Sequence, residues 1–405
     1  MEERELSTRR SGDERSVCFI HTGPAMVALL TGNGPKAMGG AELQLDLLGR
    51  ELRRRGWQVS FLVGDYGQER VQETPDGIRL LRAYANSAGG RSMASTVGAM
   101  REFWKALKDV DASIYVTRGL TGQAGIVAAY SRVRRKKYVF WFGKNSDARY
   151  GVPWLSGLPL TERLPASYGI RAASAVVCQT EQQRELLRKH IGRDGVLIRN
   201  ATPWCEGTSI RESGGYALWV GSVQPKKRPD MMLDLAAEMP DVRFVMAGGS
   251  IKGHTELYHT TEQRAAELPN VDFLGFVPFA EIQKHFRSAD LLISTSDGRD
   301  EGFPNVFLQA WSIGVPVVAT CDPDGVISRH NLGFHCKSIA EMRGAIGRLR
   351  EDRLLRHEIG KRAREYVREN HSLERVGNRL ETLLKGLLGD GSPHRDDEQD
   401  RRAHA

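Results

Sequence analysis

Ser294-Thr295-Ser296-Asp297-Gly298-Arg299-Asp300-Glu301-Gly302-Phe303-Pro304-Asn305-Val306-Phe307-Leu308-Gln309 leaves a continuous apolar run and enters one with helical spacing, and that change of period decides the fold. Leu291 to Ser294 has the length and character of a buried strand, while Pro304 to Ile313 repeats its apolar residues as a helix does. Strand, loop and helix in this order make part of a βαβ unit, whose ligands sit at the C-terminal end of the strand. Pro304 suits the first turn of a helix, where its missing N–H would have no intrahelical partner. The N–H groups of Phe303 and Asn305 are then expected to face outward at the positive end of the helix dipole, a site for a diphosphate. Glu301, just ahead of that terminus, can accept hydrogen bonds from sugar hydroxyls, and Gln309 lies deeper along the same helix. An acidic cap on an ordinary helix start would use the same residue types.

The pattern repeats in both directions. Upstream, Ser16 to His21, Gln58 to Val63, Ser113 to Thr117, Tyr138 to Phe142, Ala175 to Cys178 and Val196 to Ile198 are expected strands. Ala41 to Arg55 and Gly122 to Arg132 are expected helices between them. A second series follows, with strands at Ala217 to Val220, Val242 to Ala247, Val271 to Leu274, Leu291 to Ser294 and Val315 to Ala319. Asp230 to Glu238 and Glu281 to Arg287 are its helices, with Pro304 to Ile313. The fold class is therefore α/β, with two Rossmann-like doubly wound parallel sheets facing across a cleft. A chain of 405 residues exceeds what one core usually supports, which agrees with two domains. Their seam is expected near Ala201 to Ser213, where Pro203, Gly207 and Ser209 break both patterns. The domains are 16–203 and 204–370, followed by a helix over 371–387 that packs back on the first domain. The polar stretches 1–15 and 388–405 are expected to remain outside any core.

No stretch approaches the roughly 20 apolar residues that span a bilayer, and the charged N-terminus lacks the apolar core of a signal peptide. The protein is expected in the cytosol, or at the cytosolic face of a membrane. Five cysteines at long intervals, with no CxxC pair, are expected to be idle thiols. His254 and His259 have no acidic or thiol companion at ligand spacing, so no metal is expected there. The net charge of +8 suggests an acidic partner. Arg50, Arg53, Arg54 and Arg55 crowd one helix end, and Arg132, Arg134, Arg135, Lys136 and Lys137 another, where they would also complement helix dipoles. Neither cluster interleaves aromatics suited to base stacking, so a nucleic acid is not the expected partner. Val97 to Val110 sets Met100, Phe103, Trp104 and Leu107 beside Arg101, Lys105 and Lys108, as a helix lying on an anionic membrane would. Packing of that apolar face on the sheet is the simpler expectation.

Three further features carry chemistry. Gly221-Ser222-Val223-Gln224-Pro225-Lys226-Lys227-Arg228-Pro229-Asp230 joins a strand to a helix, with a glycine that permits close backbone approach and cations that could neutralise a leaving diphosphate. Gly39-Gly40-Ala41-Glu42 opens the first long helix and makes a phosphate or sugar niche, although a tight turn would use glycine too. The loop from Thr22 to Ala37 is long for a βα connection and reads as a lid.

Taken in order, Gly39-Gly40-Ala41-Glu42, Gly221 to Asp230, Asn200, Gly248-Gly249, Leu274-Gly275-Phe276-Val277, and Glu301 through Gln309 followed by Gly314 to Ala319 resemble the motifs of the GT-B retaining glycosyltransferases of family 4. The likeness spans about residues 16 to 385. It implies a nucleoside-diphosphate sugar as donor, a saccharide or lipid-linked acceptor, a place in polysaccharide or glycolipid synthesis, and no metal or other cofactor. It implies that Glu301 contacts donor sugar hydroxyls, that Gln309 takes the place of a ribose-binding glutamate, and that Lys227 holds the diphosphate. Gly302, Phe303, Pro304 and Asn305 would line the phosphate site, with Gly221 and Gly248 close by. Phe276 and Val277 would flank the nucleobase, and Gly39 and Gly40 would face the reacting centre. Two departures stand out: Ser222 where the family often has arginine, with Arg228 or Lys226 as compensating cations, and Gln309 in place of a glutamate. Asp147, at a strand end where relatives place a His or Asp, is the candidate third catalytic residue beside Glu301 and Lys227, and a capping role would suit it equally. Asp322 and Asp324, around Pro323, are read as turn residues. The rival functions are a sugar-nucleotide epimerase of the same fold and a non-catalytic sugar-nucleotide-binding scaffold.

Overall fold

The computed structural model describes residues 15–32, 39–84, 93–150, 160–203, 215–251 and 253–390. The first sheet holds β1 (Ser16–Ile20), β2 (Gln58–Val63), β3 (Val71–Glu73), β4 (Arg79–Arg82), β5 (Ile114–Arg118), β6 (Lys137–Trp141), β7 (Ala175–Cys178) and β8 (Val196–Leu197). Their order is β3-β4-β2-β1-β5-β6-β7-β8, parallel throughout except for the β3–β4 pair. Between them run α1 (Pro24–Leu30), α2 (Gly40–Arg54), α3 (Met93–Val110), α4 (Gln123–Val133), α5 (Ser146–Tyr150), α6 (Leu160–Ala172) and α7 (Glu181–Ile191).

The second sheet holds β9 (Tyr216–Val220), β10 (Arg243–Ala247), β11 (Val271–Gly275), β12 (Ala289–Ser294), β13 (Val317–Ala319) and β14 (Gly333–His335), in the order β11-β10-β9-β12-β13-β14. Its helices are α8 (Pro229–Ala237), α9 (Thr255–Ala266), α10 (Phe279–Ser288), α11 (Asn305–Ser312), α12 (Val326–His330), α13 (Ile339–Glu351) and α14 (Arg353–Asn370). Strand order reverses between β1 and β5 in one sheet and between β9 and β12 in the other. Those two points are where open α/β sheets leave a crevice for ligands.

Each sheet is buried on both faces, which is why its strands read as unbroken apolar runs. Phe19, Phe61 and Trp141 face α2 on one side of the first sheet, and Tyr115, Phe140 and Val176 pack with residues of α3, α4 and α7 on the other. The chain crosses back at His371, and α15 (Leu373–Leu388) lays Val376, Leu380 and Leu384 into the core of the first domain. The two passages between domains run side by side: Thr202 bridges Ser372, and its N–H donates to the His371 carbonyl at 2.9 Å.

The structure decides between several surface alternatives. The arginine cluster at the end of α2 is consumed by structure: Arg50 pairs with Asp46 and Asp76, Arg54 with Glu51, and Arg55 with both Glu51 and Glu381 of α15. In α3, Phe103 and Leu107 are buried and Trp104 packs beside them, so this apolar face lies on the sheet; Val97 and Met100 stay exposed. Part of the expected lid is α1, with Ala25, Met26, Val27 and Leu30 buried. The rest of that loop, from Asn33 to Ala37, lies outside the described residues, as do the chain ends and the expected seam beyond Pro203.

Candidate active site

A cleft of about 610 Å³ opens between the C-terminal ends of the two sheets. Gly39, Gly40, Gly221, Ser222, Lys227, Gly248, Phe276, Val277, Glu301, Gly302, Phe303, Pro304, Asn305 and Gln309 all line it. Residues from across the sequence converge there because both reversal points of strand order face the same space. Backbone approach is tightest at Gly248, where a Cβ would lie 2.1 Å from the Gly221 carbonyl oxygen. Any side chain at that position would force the ends of β9 and β10 apart.

The cationic loop after β9 and the acidic loop after β12 are stitched together. The buried Thr295 hydroxyl lies 2.7 Å from the Lys227 carbonyl and 2.9 Å from that of Arg228, and it accepts from Trp219 Nε1 at 3.1 Å. The Asp297 N–H donates to the Lys226 carbonyl at 2.8 Å. These bonds bring Lys227 Nζ to 2.7 Å from Glu301 Oε1, with both side chains largely buried. A sugar diphosphate entering here would meet a carboxylate for hydroxyls and an ammonium for phosphate within one hydrogen-bond length of each other.

The start of α11 is held from the opposite domain. Asn305 Nδ2 donates to the Gly40 carbonyl at 3.0 Å, while its Oδ1 accepts from Asn200 Nδ2 at 3.0 Å and Gln44 Nε2 at 3.2 Å. A Cβ on Gly40 would sit 2.6 Å from Asn305 Nδ2, so glycine there permits the contact. Asn200 Nδ2 also donates to the Phe303 carbonyl at 2.9 Å, and the Phe303 ring packs on His371 with centroids 4.9 Å apart. His371 is buried, its Nδ1 is 2.7 Å from the Asn200 carbonyl, and burial pushes its pKa down to about 3.

Four placements differ from the sequence reading. Pro304 is the N-cap of α11 and not its first residue, so Asn305 and Val306 head the helix. Arg228 is exposed, adopts φ 47° at the entry to α8 and does not line the cleft, because the turn into that helix carries its side chain away. Lys226 does line it. Asp147 lies fully buried below the cleft wall, where its Oδ2 accepts from the N–H groups of Gly143 at 2.7 Å and Lys144 at 3.1 Å. Desolvation pushes its carboxyl up to about 6, and its position corrects the catalytic reading in favour of the capping one. Asp324 is more than a turn residue: its carboxylate accepts from the N–H groups of Glu181 at 2.8 Å and Gln182 at 3.0 Å, across the domain boundary. Asp300 does the same for α5, accepting from the Ser146 N–H at 3.0 Å with Lys144 Nζ at 3.4 Å.

The first domain contributes Arg118, Lys144, Gln179 and Asn200 to the cleft. Of these, sequence motifs pointed only to Asn200. Arg118 ends β5, beside the reversal point, and that position was its available signal. Among the described residues no group of three or more His, Cys, Asp or Glu could hold a metal ion, and Cys18, Cys178, Cys321 and Cys336 are free and buried.

Two parallel α/β domains with facing crevices and a shared polar cleft define the GT-B class of architecture. Residues 39–201 match the glycosyl transferase 4-like domain and residues 204–366 match the glycosyl transferases group 1. The chain belongs to the group 1 glycosyltransferases of the GT-B class. It is 32% identical over 177 residues to the D-inositol 3-phosphate glycosyltransferase of Geodermatophilus obscurus, a match covering 37% of this chain and 38% of that protein. To the protein of the same name from Kineococcus radiotolerans it is 24% identical over 353 residues, covering 77% of this chain and 79% of that one. Among solved structures, sucrose-phosphate synthase from Thermosynechococcus elongatus superimposes with a TM-score of 0.75 at 17% identity, over 93% of this chain and 100% of that one. Anabaena HepE in complex with UDP and glucose gives 0.68 at 16% identity, over 91% and 99%.

Proposed function

We propose that the protein is a retaining glycosyltransferase that moves a sugar from a nucleoside-diphosphate sugar to a hydroxyl of a saccharide or lipid-linked acceptor, without a metal ion. The observation that carries this reading is the Lys227–Glu301 pair, held at 2.7 Å beside the start of α11 and facing the other domain. Cleavage of the glycosidic bond to phosphate builds positive charge on the sugar ring and negative charge on the departing diphosphate. Lys227, Lys226 and the N-terminus of α11 supply a positive field where the diphosphate charge grows. Glu301 holds sugar hydroxyls, Gln309 offers hydrogen bonds to a ribose without a charge, and Phe276 with Val277 gives a base an apolar seat. The acceptor hydroxyl attacks the anomeric carbon from the face the phosphate leaves, and its proton passes to an oxygen of that phosphate. No protein base is then required, which fits a buried Asp147.

Association with an anionic membrane surface rests on the exposed Val97 and Met100 of α3 beside Arg101 and Lys105. Among the described residues no helix is long and apolar enough to cross a membrane. Thermal stabilisation by UDP-, GDP- and ADP-sugars tests donor binding, because a ligand of the native state alone raises its melting temperature. Transfer or donor hydrolysis in excess EDTA then tests turnover and metal independence. Stabilisation without any turnover would favour the binding scaffold, and stabilisation by no nucleotide sugar would refute the reading.

A further inference from the structure

Arg118 is 6% exposed, yet it has almost nothing to bond. Its Nη2 donates to Asn200 Oδ1 at 2.6 Å, and its guanidinium stacks over Trp141 at 4.9 Å from the ring centroid. Nε and Nη1 have no hydrogen-bond partner, and no carboxylate among the described residues forms an ion pair with it. The Glu42 and Asp147 carboxylates act on it only from a distance, without an ion-pair contact, and Glu42 is itself 3.7 Å from His21 Nε2. A buried cation without a counter-charge is costly, and burial alone drags this guanidinium down to about 9. Proteins leave such a group unsatisfied where something else completes it.

The position names the something. Arg118 ends β5 at the reversal point of the first sheet and lines the cleft opposite the Lys227–Glu301 pair. The cations of the second domain face the donor diphosphate in the proposed reaction, whereas Arg118 stands on the wall left for the acceptor. We infer that Arg118 binds an anionic group of the acceptor, a phosphate ester or a carboxylate, and so selects acidic acceptors. A guanidinium suits this task because its planar donors match both oxyanions in bidentate fashion. The inference rests on the proposed glycosyl transfer and extends it to the class of acceptor.

The test separates the two ideas by filling the donor site first. UDP is titrated calorimetrically into the wild-type protein, Arg118→Met and Arg118→Lys. Inorganic phosphate, and separately acetate, are then titrated into each UDP-saturated protein. Phosphate or acetate should bind the wild type, at least tenfold more weakly to Arg118→Met and with intermediate affinity to Arg118→Lys, while UDP affinity stays within about twofold across the three. Whichever anion binds tells phosphate ester from carboxylate. If neither anion binds the UDP-loaded wild type, or if Arg118→Met binds them as the wild type does, the inference falls and donor binding stands. An equal loss of UDP and anion binding would assign Arg118 to bracing Asn200 and would also overturn it. Failure of all three proteins to bind any of UDP, GDP and ADP would strike the functional reading instead. Should Arg118→Met not fold, Arg118→Lys keeps the charge but loses the fork, and unchanged phosphate and acetate affinity there would refute the bidentate site.

Discussion

Replacing Lys227 by methionine should separate what the Lys227–Glu301 pair does for stability from what it does for turnover. The side chains keep only 18% and 11% of their exposure and lie 2.7 Å apart. Removing one member of a fully buried pair costs about 3–5 kcal/mol, because the partner's charge is stranded, whereas an exposed pair is worth about 0–1 kcal/mol. Intermediate burial therefore predicts a loss of about 1–3 kcal/mol for Lys227→Met. Turnover should fall further, by about 100- to 1000-fold in kcat/KM, the usual loss when a preorganised electrostatic contact to a developing charge is deleted. Adding Glu301→Gln removes the stranded charge. The double variant should regain most of the lost stability and none of the lost turnover. Urea unfolding followed by tryptophan fluorescence reads the first quantity, and transfer from the donor found in the nucleotide-sugar screen reads the second. A Lys227→Met protein as active as the wild type would refute the proposed mechanism, and a double variant no more stable than the single one would refute the account of the pair.

Gly248→Ala should abolish UDP binding at a stability cost of about 1–3 kcal/mol, because the new Cβ would lie 2.1 Å from the Gly221 carbonyl; wild-type UDP affinity by calorimetry would contradict this. The Asp147 carboxyl, pushed up to about 6 from 3.8, stabilises the fold most when protonated, below about pH 4, and loses that contribution as the pH rises through 6. Asp147→Asn carries no charge to bury and should gain about 3 kcal/mol on the wild type between pH 4 and pH 7, with turnover retained; parallel urea midpoints at the two pH values would sink the assignment. His371 has the opposite sign: with its pKa pushed down from 6.5 to about 3, its contribution is present above pH 6.5 and is lost as the pH falls toward 3. That contribution should shrink by about 1.4 kcal/mol per pH unit across the window, against the opposite slope of Asp147 where the two overlap. The stability of His371→Gln relative to the wild type should therefore rise by that amount per unit as the pH falls; a constant difference between the two proteins counts against it.

The architecture was legible because buried parallel strands cannot alternate. β2 and β7 keep the bounds read from the sequence, Gln58 to Val63 and Ala175 to Cys178. The elements that escaped notice break this rule. β3 is largely exposed over its three residues, and β4 offers only Leu80 and Leu81 between two arginines, too short an apolar run to announce a strand. α1 hides between Gly23 and Gly32, where glycines and Pro24 suggest a loop, and only its buried Met26 and Leu30 reveal it as a helix packed on the core. In the cleft, the glycines and Glu301 were readable because each answers to its neighbours in sequence. Arg118 was not, since its environment depends on Trp141 of β6 and on Asn200 in the segment after β8. Asp147 stayed open between two roles for a related reason: a carboxylate six residues beyond a strand end can cap a turn or face a substrate with the same spacing.

The loop quoted first is answerable to both domains at adjacent residues. Asp300 caps α5 of the first domain and approaches Lys144, while Glu301 pairs with Lys227 of the second. Four residues on, Asn305 hands its amide to Gly40 and accepts from Asn200 and Gln44. Asp324 adds a further cap on α7. Each of these contacts is short-ranged, so none survives a separation of the domains by more than an ångström or so. A change in the domain angle therefore cannot leave the loop where it is: it breaks the bonds of Asp300 and Asn305, or it carries Glu301 away from Lys227. The geometry of the sugar-contacting carboxylate and the closure of the cleft are consequently one variable, set by the side chains of Asp300, Asn305 and Asp324.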